Sequence, residues 1–239
     1  MNNILIKVEN LVKTFGGLVA LNDCSLEIKD KAITGIIGPN GSGKTTLFNV
    51  ITGNLKPDTG KVFYNGVEIT NEESHDLFHL GVLRTFQIAH EFSNMTVIEN
   101  LMVVPGNQKG EKLLYSLMNS QKIKKEDELI KDKAMEVLKF LKIEHLKNER
   151  AGNLSGGQKK LLELARTMMV DAKIVFLDEV GAGVNKTLLR DISDSILKLN
   201  QDKGYTFCMI EHDFNFISEL CDPVIVLAEG SVLFKGSAE

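Results

Sequence analysis

The chain predicts an α/β fold: a mainly parallel sheet, an antiparallel β region toward its N-terminal side, and an α-helical lobe inserted in the middle. Three observations carry this expectation. Short β-rich runs (ILIKVEN, SLEIKD, AITGII, KVFYNGVEI) fill the first 70 residues, with one helix among them. From about residue 88 to 165 the periodicity turns helical, with apolar residues at 130, 134, 137, 138 and 141. After residue 173 strand-like runs return as IVFLDE, YTFCMIEHD and PVIVLAEG, separated by helical stretches near 186–201 and 213–221. Flanking parts that share one alternation belong to a single sheet split by an insertion. The expected organisation is a core of 1–87 with 166–239 and a helical lobe of 88–165.

Local signals place the elements. Asn65-Gly66 inside KVFYNGVEI marks a hairpin turn. A helix follows Gly43. Thr96 and Glu99 have the spacing of a capping box, in which each side chain satisfies an amide of the other at a helix start. Polar and glycine-rich residues 105–112 and 119–128 read as exposed joints dividing the lobe into two or three helices. No internal repeat or low-complexity segment is apparent.

Composition narrows the function. With 239 residues, 43% of them hydrophobic, the chain can bury a large core and is long enough for an enzyme. Its 28 basic and 32 acidic residues give a net charge of −4, so no general excess of positive charge favours nucleic acid or an anionic membrane surface. Cys24, Cys208 and Cys221 lack metal-ligand or CxxC spacing and suit buried, reduced thiols. The opening MNNILIKVEN holds no apolar stretch of signal-peptide length, and no later run approaches the ~20 apolar residues of a membrane span. The expectation is a soluble chain whose membrane role, if any, comes through a partner.

The strongest chemical signal is GPNGSGKTT. It begins at Gly38, directly after the strand AITGII, and runs into the helical LFNVIT, so G-x-x-x-x-G-K-[ST] sits in a strand–loop–helix context. In the loop Gly38, Pro39, Asn40, Gly41, Ser42 and Gly43, the glycines let backbone amides turn inward as a nest for phosphate oxygens. Lys44 adds a point charge, Thr45 and Thr46 open the helix, and the helix dipole favours an anion there. The Thr45 hydroxyl suits a Mg²⁺ ion. A phosphoryl site also needs a carboxylate at a neighbouring strand end, and IVFLDE supplies Asp178 and Glu179. Asp178 would hold the metal through water, and Glu179 would orient and deprotonate an attacking water; solvated acids at a strand end are the plain alternative. His212 ends a third apolar strand and is a candidate for contacting a terminal phosphate, although a lone histidine is more often an ordinary surface or core residue. Gln87, in RTFQ at the edge of the helical lobe, either touches Mg²⁺ or water or is merely solvated.

Residues 153–160, NLSGGQKK, hold no acid, histidine or thiol. Ser155 and Gln158 fit another capping box, but Gly156 and Gly157 weaken a helix start unless something must approach the bare backbone. Taken in order, GPNGSGKT, RTFQ, LSGGQ, IVFLDE and IEHD resemble the motif set of the ATP-binding-cassette (ABC) ATPases, a P-loop NTPase family, over nearly the whole chain. The resemblance implies ATP and Mg²⁺ as cofactors and a head-to-tail pair of subunits. In such a pair Ser155, Gly156, Gly157 and Gln158 cap the γ-phosphate on the partner's phosphate loop. It also implies that Phe15, in KTFGG, stacks on adenine, an aromatic packed under a turn being the other use. Val180 and Lys186 depart from the family, which usually has proline at both positions.

Within the family, KTFGGLVALND, RTFQ with MTVIENLMV, the AG-V-N loop and IEHDF look like the ATPase subunits of branched-chain amino acid importers of the Liv type, with urea and short-amide importers sharing much of the pattern. The implied partners are a second ATPase subunit, identical or sister, the transmembrane permease subunits and, indirectly, an external substrate-binding protein; no nucleic acid is implied. The implied location is cytoplasmic, peripheral on the inner face of the membrane. Residues 88–104 would receive the permease, with Phe92, Met95, Val97 and Ile98 serving either that surface or the core. The resemblance further implies that relatives continue past Glu239 into another helix. A soluble non-transport ABC ATPase and a non-hydrolysing ATP-binding scaffold are the alternative functions.

Overall fold

The computed structural model describes residues 3–85, 91–106, 108 and 120–237. They fall into two compact units, one of Met1–Gln87, Ala172–Ala182 and Ile196–Glu239, the other of Ile88–Asp171 and Gly183–Ser195.

In the first unit, β1 (Ile4–Phe15) and β2 (Leu18–Lys29) form a long antiparallel hairpin. β4 (Thr59–Tyr64) and β5 (Val67–Glu68) extend it into a four-stranded sheet of order β2-β1-β4-β5. The turn between β4 and β5 is the expected one: Asn65 and Gly66 both take positive φ, 51° and 80°, the twist that a two-residue hairpin needs. A second sheet has the order β10-β9-β3-β8-β7-β6, built from β3 (Ile33–Ile37), β6 (Val82–Arg84), β7 (Ile174–Asp178), β8 (Thr206–Ile210), β9 (Val224–Ala228) and β10 (Ser231–Gly236). All its pairings are parallel except β9 with β10. β7 and β8 are buried along their whole length, which explains why they read as nearly continuous apolar runs rather than alternating ones.

One core lies between these layers. Leu11, Leu21 and Ile28 of the hairpin pack with Phe48 and Ile51 of helix α1 (Lys44–Ile51) and with Ile36, Phe176, Cys208 and Ile225 of the parallel sheet. The short α2 (Ser74–His79) precedes β6 and buries Leu77, and α7 (Phe214–Leu220) is capped by Asp213, whose carboxylate accepts from the Asn215 and Phe216 amides. Cys24, Cys208 and Cys221 are free and buried; burial pushes the thiols of Cys24 and Cys221 up to about 12 and that of Cys208 well above its ordinary value.

The second unit is helical. It holds α3 (Val97–Met102), α4 (Ser120–Phe140), α5 (Gly156–Met168) and the first part of α6 (Lys186–Lys203). Both expected capping boxes are present, Thr96 with Glu99 and Ser155 with Gln158. The lobe edge expected at 165 falls inside α5, which runs to Met168 because LLELARTM keeps its apolar face. One expectation fails: residues 120–128 are not a joint but the first turns of α4. QKIKKEDEL is polar apart from Ile123 and Leu129, yet Lys, Glu and Gln are good helix formers, and polarity alone does not break a helix. Among the described residues, no helix is long and apolar enough to cross a membrane.

Candidate functional site

The parallel register brings the carboxyl ends of four strands to one edge of the sheet. Ile36 pairs with Ile210, Ile210 with Asp178, and Phe176 with Arg84, so the loops after β3, β7 and β8 emerge side by side. Ligands of open α/β sheets sit in such a crevice.

The loop Gly38–Gly43 fills the end of β3. Gly41 and Gly43 have φ of 79° and 97°, and a Cβ on Gly43 would overlap the Ala20 carbonyl, so this position admits only glycine. Gly43 caps α1 without any side-chain bond to the helix amides. The first N–H groups of α1 thus lack the side-chain partner that Ser155 or Thr96 provides elsewhere, the arrangement that suits an anion. The Ser42 hydroxyl is buried and has no hydrogen-bond partner. Lys44 is 6% exposed and its Nζ donates to the Gly38 and Pro39 carbonyls, both at 2.9 Å, wrapping the loop around the ammonium. Burial lowers its pKa, against the pull of the Glu179 and Asp178 carboxylates. A buried cation, an orphaned hydroxyl and uncapped helix amides together fit a polyphosphate, and Thr45, exposed at the first turn, can offer its hydroxyl to a phosphate-bound Mg²⁺.

Glu179 follows β7 in the left-handed region, φ 50°, a conformation uncommon for a non-glycine residue. Its amide donates to the Ile210 carbonyl at 2.9 Å, which anchors the strained turn to β8. The Oε1 atom of Glu179 lies 3.0 Å from His212 Nε2. These two side chains line an open cavity of about 240 Å³ together with Phe15, Ala20 and the loop from Asn40 to Thr46. Phe15 is half exposed at its rim with the Lys13 ammonium 5.8 Å from its ring centroid, so it is not packed under a turn. Asp178 is buried one residue away, its Oδ2 2.8 Å from Arg84 Nη2. Phe15, the phosphate loop, Asp178, Glu179 and His212 are thereby gathered in the first unit; Gln87 lies outside the described residues.

The signature residues lie in the second unit. Ser155 and Gly156 are exposed at the tip of α5, and a Cβ on Gly156 would meet nothing. Gly157 is different: it is buried, and a Cβ there would overlap Leu188 and press on Val184. Gly157 thus has a packing reason for being glycine within its own unit, besides the one expected from the sequence. Val180 is buried, 4% exposed, and Val97 is core, whereas Phe92 and Met95 are exposed at 49% and 37%.

Sequence reasoning missed Arg84, Asn49 and Glu211. Glu211 is buried and accepts from the Gly181 amide at 2.8 Å, fixing the turn after Glu179; burial, and then the Glu179 charge, raise its pKa against that hydrogen bond. The available signals were a charge inside the apolar VLRTF and one directly after the buried strand TFCMI.

This is the site of a P-loop nucleotide-binding α/β protein. A family model described as ABC transporter matches residues 21–182, and the chain belongs to that family. It is 43% identical over 235 residues to the probable branched-chain amino acid transport ATP-binding protein LivG of Archaeoglobus fulgidus, covering 98% of this chain and 90% of that protein. A crystal structure of a nucleotide-free ATP-binding cassette from an ABC transporter superposes with a TM-score of 0.85 at 42% identity, over 99% of this chain and 92% of the other. A dimeric cassette in a post-hydrolysis state, bound to ADP and Pi, does so with a TM-score of 0.80 at 25% identity, over 98% and 99%.

Proposed function

We propose that the chain is the ATP-hydrolysing subunit of an ABC importer for branched-chain amino acids or related small amino acids and amides, working as a pair on the inner face of the membrane beneath its permease. The observation that carries the reading is the cavity in which a polyphosphate cradle faces a Glu179–His212 pair across about 240 Å³. The names of relatives matching along the whole chain support the transport role and the substrate class.

Phe15 offers its exposed face to the base, and the loop amides, Ser42 and Lys44 bind the phosphates. Thr45, Asp178 and Gln87 would hold Mg²⁺, whose chemistry is to neutralise charge on the phosphate oxygens. Glu179 accepts a proton from water placed in line with the γ-phosphate, and His212, bonded to Glu179 Oε1, orients that carboxylate and the terminal phosphate. Ser155, Gly156, Gly157 and Gln158 of one chain cap the γ-phosphate held by the other, so bound nucleotide joins the two. Phe92 and Met95 are the apolar contacts offered to the permease; an external binding protein acts only through it.

Glu179→Gln tests the central assignment. It keeps the hydrogen-bonding shape, so ATP should bind as before while phosphate release falls by about 10²–10⁴. Undiminished release would remove Glu179 from the role of base. Absence of ATP binding by the unaltered chain would remove the function itself.

A further inference from the structure

Arg84 lies at the carboxyl end of β6, a strand that no part of the proposed chemistry uses. Its side chain is only 8% exposed, and its guanidinium reaches Asp178 at the end of β7 and Asn49 and Phe48 on α1. Nη2 donates to Asp178 Oδ2 at 2.8 Å. Nη1 makes a short hydrogen bond to Asn49 Oδ1 on α1, the helix that the phosphate loop opens. The guanidinium carbon lies 5.9 Å from the centroid of Phe48, which is itself held edge-on against Phe176 of β7. The Nε donor is buried without a partner. One rigid fork therefore ties β6, the end of β7 and α1 together, and it occupies a single oxygen of Asp178.

We propose that Arg84 is a positioning residue for the divalent metal: bridged to Asn49, it fixes the Asp178 carboxylate against the phosphate-loop helix and turns the second oxygen toward the metal. The inference rests on the nucleotide-site reading above. Two physical facts favour it over a merely structural salt bridge. A buried ion pair adds little net stability compared with apolar residues of the same size, so its presence calls for another reason. A guanidinium also fixes two acceptors in one plane, which an ammonium cannot do. The bridge spans the two groups whose separation a phosphate-bound cation must match: the cradle on α1 and the carboxylate on β7.

The test is magnesium titration of the 239-residue chain and its variants at saturating ATP, beside ATP affinity measured by calorimetry in EDTA. Arg84→Met should raise the magnesium concentration giving half-maximal hydrolysis about tenfold and leave metal-free ATP affinity within about twofold. Asn49→Ala, which leaves the Arg84–Asp178 pair in place, should give a smaller shift in the same direction and serves where Arg84→Met folds poorly. The double variant should shift no further than Arg84→Met alone, since both break one bridge. Arg84→Lys should recover thermal stability but not the magnesium dependence. Equal losses of metal-free and metal-dependent affinity, additive shifts, or an unchanged magnesium midpoint in both single variants would each overturn the inference. A parent chain that binds no ATP at all would instead overturn the functional reading on which it stands.

Discussion

Gly156 and Gly157 stand side by side in the sequence, yet a methyl group added to one meets nothing and to the other meets Leu188 and Val184. Gly157→Ala must push the half-buried Leu188 side chain aside and should destabilise the isolated chain by about 1 kcal/mol, the low end of overpacking costs. Gly156→Ala should leave urea stability within about 0.5 kcal/mol while weakening the ATP-driven pairing of chains; equal destabilisation by both would contradict the division. The pair also shows what can be read from residue types. GG before an apolar helix says that the backbone is crowded or approached, but not by which neighbour, because Leu188 is fixed only by the fold. Arg84 was illegible for the same reason: its acceptor Asp178 lies 94 residues along the chain. The phosphate loop was legible because its chemistry is local, with glycines, lysine and helix start all contained in nine residues.

Elements were legible where periodicity and caps agree, as at both capping boxes and the Asn65-Gly66 turn, and illegible where charge masked a helix, as in α4. Two side chains that hold elements in place carried no such pattern. Asn100 of α3 is fully buried; it accepts from the Phe92 amide at 2.8 Å and donates to the Phe92 and Thr96 carbonyls at 3.1 and 2.9 Å, stitching the segment before α3 to the helix. Asn100→Ala leaves those backbone groups unpaired and should cost about 1–3 kcal/mol in urea unfolding; an unchanged midpoint would show that water replaces the amide. At the end of β1, Asp58 accepts from Lys13 at 2.8 Å and from the Thr14 amide and hydroxyl, both at 2.7 Å. These bonds, Lys13 foremost, lower the carboxyl pKa to about 2. A folded-state pKa below the unfolded one, about 3.9, gives stability that is present above the unfolded value and lost as pH falls through the folded value. The stability gap between the parent chain and Asp58→Asn should accordingly be constant above about pH 5 and close between about pH 4 and 2; a gap that persists at pH 2 would assign it to something other than the charge.

At the scale of the whole molecule, the proposed engine needs two chains, because the phosphate cradle and the exposed Ser155–Gly156 tip are to act on one nucleotide from different copies. Pairing of this kind is a linkage effect. At saturation each nucleotide adds RT ln of the factor by which the closed pair binds it more tightly than the single chain does, about 1.4 kcal/mol for a tenfold preference, and a pair holds two. Blocking hydrolysis should therefore trap the closed state. Glu179→Gln, saturated with ATP and Mg²⁺, should sediment at twice the mass of the chain with one nucleotide per chain, and it should return to single mass in ADP, which lacks the γ-phosphate that the tip binds. Adding Lys44→Ala should abolish the shift, because it removes the buried charge from the cradle rather than the contact itself. Gly156→Ala in the same background should raise the ATP concentration needed for pairing and leave ATP binding to the single chain unchanged. A Glu179→Gln chain that stays single in saturating ATP, alone and when mixed with any sister ATPase encoded beside it, would exclude nucleotide as the joint between subunits, and the exposed glycine of the signature would then need a different ligand.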